Sequence, residues 1–123
     1  MLKVYLDNNY PKNLVYALQA VHQLQYPEKL EIIRTTLFQE QESVVFIFDK
    51  SKKGIDIVTE KHYDAGYRVF AFKFYPEEKL DLFKFSLSML QLWPRILETI
   101  EENSNPFVVT YRYWGSGLKR VRG

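Results

Sequence analysis

Val44-Val45-Phe46-Ile47-Phe48-Asp49 is the stretch on which the fold turns. Five apolar residues follow one another without a polar break, and the run stops at a carboxylate. A strand with one wet face alternates apolar and polar residues. An unbroken run predicts burial on both faces, as at the centre of a parallel sheet covered by helices. The start of the chain has the same plan: Val4-Tyr5-Leu6-Asp7 leads into Asn8-Asn9-Tyr10-Pro11. Pro11 suits the first turn of a helix. Leu14, Leu18 and Val21 carry that helix on at a 3.6-residue period.

Working outward, Leu2–Leu6 predicts a first strand and Leu30–Leu37 a second, after Pro27 ends the helix. Asp56 through Ala65 predicts a helix stopped by Gly66, and Tyr67–Phe74 a strand with Val69 and Ala71 on one face and Phe70 and Phe72 on the other. Pro76-Glu77-Glu78 opens a further helix with its acids where the dipole favours them. Pro94 either breaks or kinks that helix, or stands at the first position of a last one containing Ile96, Leu97 and Ile100. Phe107–Trp114 predicts the final strand, with antiparallel pairing at an edge, and the basic tail Leu118-Lys119-Arg120-Val121-Arg122 follows. The predicted order is β-α-β-β-α-β-α-α-β, an α/β fold with a mainly parallel central sheet.

At 123 residues the chain suits one domain, 1–123, with enough length for a sizeable core. Aromatics make up 16%, which weighs toward a core built with aromatic rings. The absence of cysteine excludes disulfides and thiolate metal sites and fits a cytoplasmic protein. With only His22 and His62 there is little room for a histidine-rich zinc site, and His22 reads as structural or exposed. No apolar run is long enough to span a membrane. No glycine-rich phosphate loop occurs.

Chemistry points to the carboxyl ends of strands, where open α/β sheets collect their ligands. Asp7 and Asp49 both stand there, and Glu60 lies on the helix after Asp49. Carboxylates suit Mg²⁺ or Mn²⁺, and such ions activate water at phosphodiesters. Asp7 and Asp49 are the expected direct ligands, with Glu60 direct or through water. Asn8 would position the turn or a ligand. Lys50, Lys52 and Lys53 would hold phosphates. The plainer roles are capping for each aspartate and a solvated loop for the lysines. The tail is either a frayed terminus or a phosphate contact.

Val4-Tyr5-Leu6-Asp7-Asn8-Asn9, the first helix, Phe46-Ile47-Phe48-Asp49-Lys50, Ala65 to Phe72 and the pair Trp93-Pro94 together resemble a PIN-like domain. The similarity is to the small group related to VapC-type toxin ribonucleases. It implies a single three-layer PIN-like domain and a Mg²⁺- or Mn²⁺-dependent endoribonuclease of toxin type. Asp7 and Asp49 match family acids, and Glu60 matches an additional one. The implied partners are RNA and an antitoxin protein, with a homodimer left open and no membrane contact. The family places one more acid between its second and third strands. Here only Glu40 and Glu42 occupy a shortened interval. The alternative reading is therefore a catalytically degenerate PIN-like module that binds protein or RNA.

Overall fold

The computed structural model describes residues 2–26, 30–35, 43–49, 56–74, 81–112 and 117–123. Its elements run β1 (Leu2–Leu6), α1 (Lys12–Gln25), β2 (Leu30–Arg34), β3 (Val44–Asp49), α2 (Ile57–Asp64), β4 (Arg68–Lys73), α3 (Leu82–Glu102), β5 (Phe107–Tyr111) and β6 (Lys119–Arg122). They form an α/β fold around one six-stranded sheet of order β2-β1-β3-β4-β5-β6. All pairings are parallel except β5 with β6.

β3 lies between β1 and β4, and Val45 and Ile47 are buried, as the unbroken apolar run requires. Alternation sends Phe46 and Phe48 to one face and Val45 and Ile47 to the other. The first face carries α1 and α3. Phe46, Phe70, Phe72, Phe85 and Phe107 are fully buried there beside Tyr10 and Trp93. The second face has a smaller cluster of Tyr5, Val45, Ile47, Tyr67, Val69 and Val108, against which Tyr63 of α2 packs. Each large side chain so buried contributes about 1.5–3 kcal/mol.

Three predictions need correction. α3 runs unbroken through Pro94. Proline inside a helix costs about 3 kcal/mol, but Trp93, Ile96, Leu97 and Ile100 are all buried around it and outweigh that loss. The strand beginning at Phe107 is not at the sheet edge: α3 returns the chain to the end from which β4 started, so β5 pairs parallel with β4 on one side and antiparallel with β6 on the other. The antiparallel edge strand is instead β6, formed by the basic tail. Arg120 lies over the Phe107 ring and donates to Asn103 Oδ1, and Arg122 pairs with Glu60, so these arginines fasten the terminus.

The crossovers differ in hand. β1–α1–β2 moves toward one edge over the first face, and β3–α2–β4 moves toward the other edge over the second face; these two moves have the same hand. β4–α3–β5 moves in the direction of β3–α2–β4 but over the first face, so its hand is opposite. Parallel crossovers are right-handed in about 98% of cases, and this fold contains both hands. The result is a shared α1/α3 layer, joined where Trp93 Nε1 donates to His22 Nδ1 at 3.1 Å.

Gly66 closes α2 with φ +98°, a conformation that disfavours side chains. Its N–H reaches Tyr63 O, and Tyr67 N–H reaches His62 O, which turns the chain into β4. Among the described residues no helix is long and apolar enough to cross a membrane.

Candidate functional site at the carboxyl edge of the sheet

β1 and β3 are neighbours, but their connections leave in opposite directions and over opposite faces. The carboxyl ends of such a pair flank a topological switch point, where ligands of open α/β sheets bind. Asp7 follows β1 and Asp49 ends β3. Strand alternation sets both on the α2 face, in phase with Tyr5 and with Val45 and Ile47.

Asp7 is bound into this corner by the backbone. Its Oδ2 accepts from Phe48 N–H at 3.0 Å and its Oδ1 from Asn9 N–H at 2.8 Å. The first bond ties β1 to the residue just before Asp49. The second is an Asx-type turn that ends β1 and points the chain toward α1. Burial pushes the Asp7 carboxyl above the usual aspartate range; the two N–H bonds and the positive charge of Arg34 pull the other way without cancelling it. A carboxyl whose titration is shifted by burial is a candidate functional group. Asn8 is exposed, and its carbonyl accepts from Arg34.

Asp49 is fully buried. The β3–β4 register sets Lys73 opposite it, and Lys73 Nζ donates to Asp49 Oδ2 at 2.7 Å. Asp56 N–H, at the start of α2, also approaches that oxygen at 3.4 Å. A buried carboxylate needs such partners, since an unpaired charge away from water is very costly. Lys73 was not singled out in the sequence because nothing in Phe72-Lys73-Phe74 marks it. Only the inter-strand register brings it to Asp49.

Glu60 goes elsewhere. Its Oε1 accepts from Arg122 Nη2 at 2.7 Å, and Arg122 sits over the Tyr63 ring. Arg122 belongs to β6, at the opposite edge of the sheet from β2. The structure thus brings Asp7 and Asp49 to adjoining strand ends and joins Glu60 to β6. Lys50, Lys52, Lys53, Glu40 and Glu42 lie outside the described residues. Among the described residues no three of His, Cys, Asp and Glu form a group that could hold a metal ion.

Arg34 is a second residue that sequence reading missed. It ends β2, and its guanidinium donates to Tyr10 O and Asn8 O, both at 2.9 Å. It clamps the turn that carries Asp7. Behind the turn, the Tyr10 and Tyr111 hydroxyls are hydrogen-bonded to each other in the core, and burial drives both phenols well above the ordinary tyrosine range. They stay neutral and act as a polar pin between α1's entry and β5.

No family model matches the chain, and neither a curated protein nor a solved structure does.

Proposed function

We propose that the carboxyl ends of β1 and β3 form a divalent-cation site for phosphodiester hydrolysis, with RNA as substrate, in a PIN-like protein of the toxin ribonuclease type. The observation that carries this reading is the placement of Asp7 and Asp49 on one face of the topological switch point. Two carboxylates fit Mg²⁺ or Mn²⁺, because Mg²⁺ is held by one or two carboxylates and keeps several waters. A bound ion would supply a water of lowered pKa and charge stabilisation for the leaving oxygen. Asp7 would orient such an ion from the β1 turn, held in place by Phe48 N–H and Asn9 N–H. Asp49 would serve from β3 once its oxygen is shared with, or released from, Lys73. The substrate contacts proposed for Asn8, Lys50, Lys52 and Lys53 and the ligand role of Glu60 belong to this reading, as do an antitoxin partner and a homodimer.

A specific observation favours a second reading. Asp49 is already neutralised by Lys73, and Glu60 by Arg122. That arrangement suits a catalytically degenerate module whose acids hold the fold. Cleavage of single-stranded RNA with and without Mn²⁺, alongside calorimetric Mn²⁺ binding, separates the two. Activity and binding that both fall in Asp7→Asn support the nuclease. Mn²⁺ binding unchanged by Asp7→Asn removes Asp7 from any metal site.

A further inference from the structure

We propose that the outer face of α1 is a dimer interface for a second copy of this chain, packed antiparallel about a two-fold axis between Ala17 and Ala20. α1 buries Leu14, Val15, Leu18 and His22. Its opposite side carries Asn13, Ala17, Ala20 and Leu24, all exposed, at the i, i+4, i+7, i+11 spacing of a coiled-coil seam. Leu24 is 85% exposed, and Tyr16 flanks the seam at 53%. From Asn13 to Tyr26 there is no aspartate, glutamate, lysine or arginine, in a chain of which these make up 26%. A surface helix ordinarily carries charged and polar residues on its solvent side. An apolar stripe there marks an interaction surface.

Size and charge select the occupant. In an antiparallel pair centred between positions 17 and 20, Ala17 of each copy meets Ala20 of the other. The paired alanines let the helix axes approach to about 8 Å, the close end of helix packing. Leu24 of each copy then lies over the shorter Asn13 of the other. Large meets small at both ends, so the stripe is complementary to itself, as an isologous two-fold contact requires. A parallel pair would set Leu24 on Leu24 and hold the alanines apart. A charged partner would find no counter-charge in the stripe, whereas two copies meet without like-charge repulsion. The 14-residue helix is about 21 Å long at 1.5 Å per residue. Such a stripe is smaller than a standard interface of about 800 Å² per partner, so the dimer is weak. This surface serves the homodimer of the nuclease reading but lies away from the α2 face that carries Asp7 and Asp49. A chain that binds no Mn²⁺ can still dimerise, and a monomer can still bind Mn²⁺.

Sedimentation equilibrium from about 5 µM to about 1 mM should show a monomer–dimer equilibrium with a dissociation constant of about 10–100 µM. Leu24→Glu and, separately, Ala20→Glu bury a charge in the seam and should weaken it about tenfold or more, with circular dichroism unchanged. The chain has no cysteine, so introduced thiols report proximity alone. Ala17→Cys mixed with Ala20→Cys should form a disulfide-linked dimer on air oxidation. Leu24→Cys by itself should not, because its two copies stand about 16 Å apart along antiparallel axes, beyond the reach of a disulfide at about 7 Å. A disulfide dimer through Leu24→Cys alone would mean parallel packing. A chain monomeric at the top of the concentration range would leave the stripe to a helix of another protein. A folded Leu24→Glu protein that dimerises as before would place the contact on another face. Each of these results overturns the proposal.

Discussion

The two faces of the sheet are built for different tasks. The face under α1 and α3 is an aromatic layer in which Phe46 stacks on Phe70 at 4.8 Å and Phe72 packs on Phe85 at 4.4 Å between ring centroids. The face under α2 has a smaller apolar cluster, and at its carboxyl edge it carries Asp7, Asp49 and Lys73. One face accumulates burial energy, and the other gives up part of its area to charge. α2 has eight residues, whereas the 21-residue α3 spans the aromatic face. The difference teaches that the candidate site sits on the face with the smaller apolar cluster, opposite the aromatic layer.

The sharpest way to test this contrast is to cut each face once. Phe46→Ala should lower unfolding free energy by about 3–5 kcal/mol, the range for truncated core aromatics. Ile47→Val, its neighbour on the other face, should cost about 0.5–1.5 kcal/mol. Urea unfolding measures both, and equal losses would erase the distinction between the faces.

The charged edge has its own large effect. Lys73→Met removes the ammonium that donates to buried Asp49 Oδ2 and should cost about 3–5 kcal/mol. Adding Asp49→Asn should recover much of the loss, because the buried negative charge is removed with it. No recovery in the double variant would mean that Lys73 acts through packing alone.

The α1/α3 joint supplies a pH test confined to the aromatic face. Burial holds His22 below the ordinary histidine range. Unfolded chains take up the proton near pH 6.5, so the unfolded state binds more protons between that value and the lowered folded one. Stability should be intact above pH 6.5 and fall as the pH drops through this window. Denaturant midpoints recorded from pH 7.5 to 5 should show a slope that His22→Gln flattens. An identical slope in the two proteins would show that His22 does not carry the dependence.

The smallest effect belongs to Glu60→Gln. Both partners of the Glu60–Arg122 pair are more than a third exposed or close to it, at 34% and 47%. Solvent screening limits such a pair to about 0–1 kcal/mol. A larger loss would show that β6 depends on this contact. A loss of Mn²⁺ binding in the same variant would restore Glu60 to the metal site.

Local signals made much of the architecture legible. The apolar run at Val44–Phe48 announced a central strand, Pro11 and Gly66 marked a helix start and stop, and the strand-ending aspartates pointed to one edge. What escaped were features of pairing. Lys73 and Arg34 are ordinary polar residues in sequence, and they become part of the corner through inter-strand register and the turn after β1. Pro94 misled because helix propensity is local, whereas the burial that overrides it comes from another layer. The basic tail misled because charge alone cannot distinguish a solvated end from an edge strand whose arginines find Phe107, Tyr63 and Glu60.

The sequence by itself determined the α/β class, the buried centre of the sheet and the placement of two acids at strand ends. Each of these follows from periodicity and burial within one segment. The tertiary structure alone decided which partners those acids meet, which face each helix covers and that His22 is buried where it accepts from Trp93. Those outcomes depend on contacts between residues far apart in the chain, as with Asp7 and Phe48 or His22 and Trp93. No short-range pattern carries that information, because the free energy that selects such contacts comes into being only when the layers close.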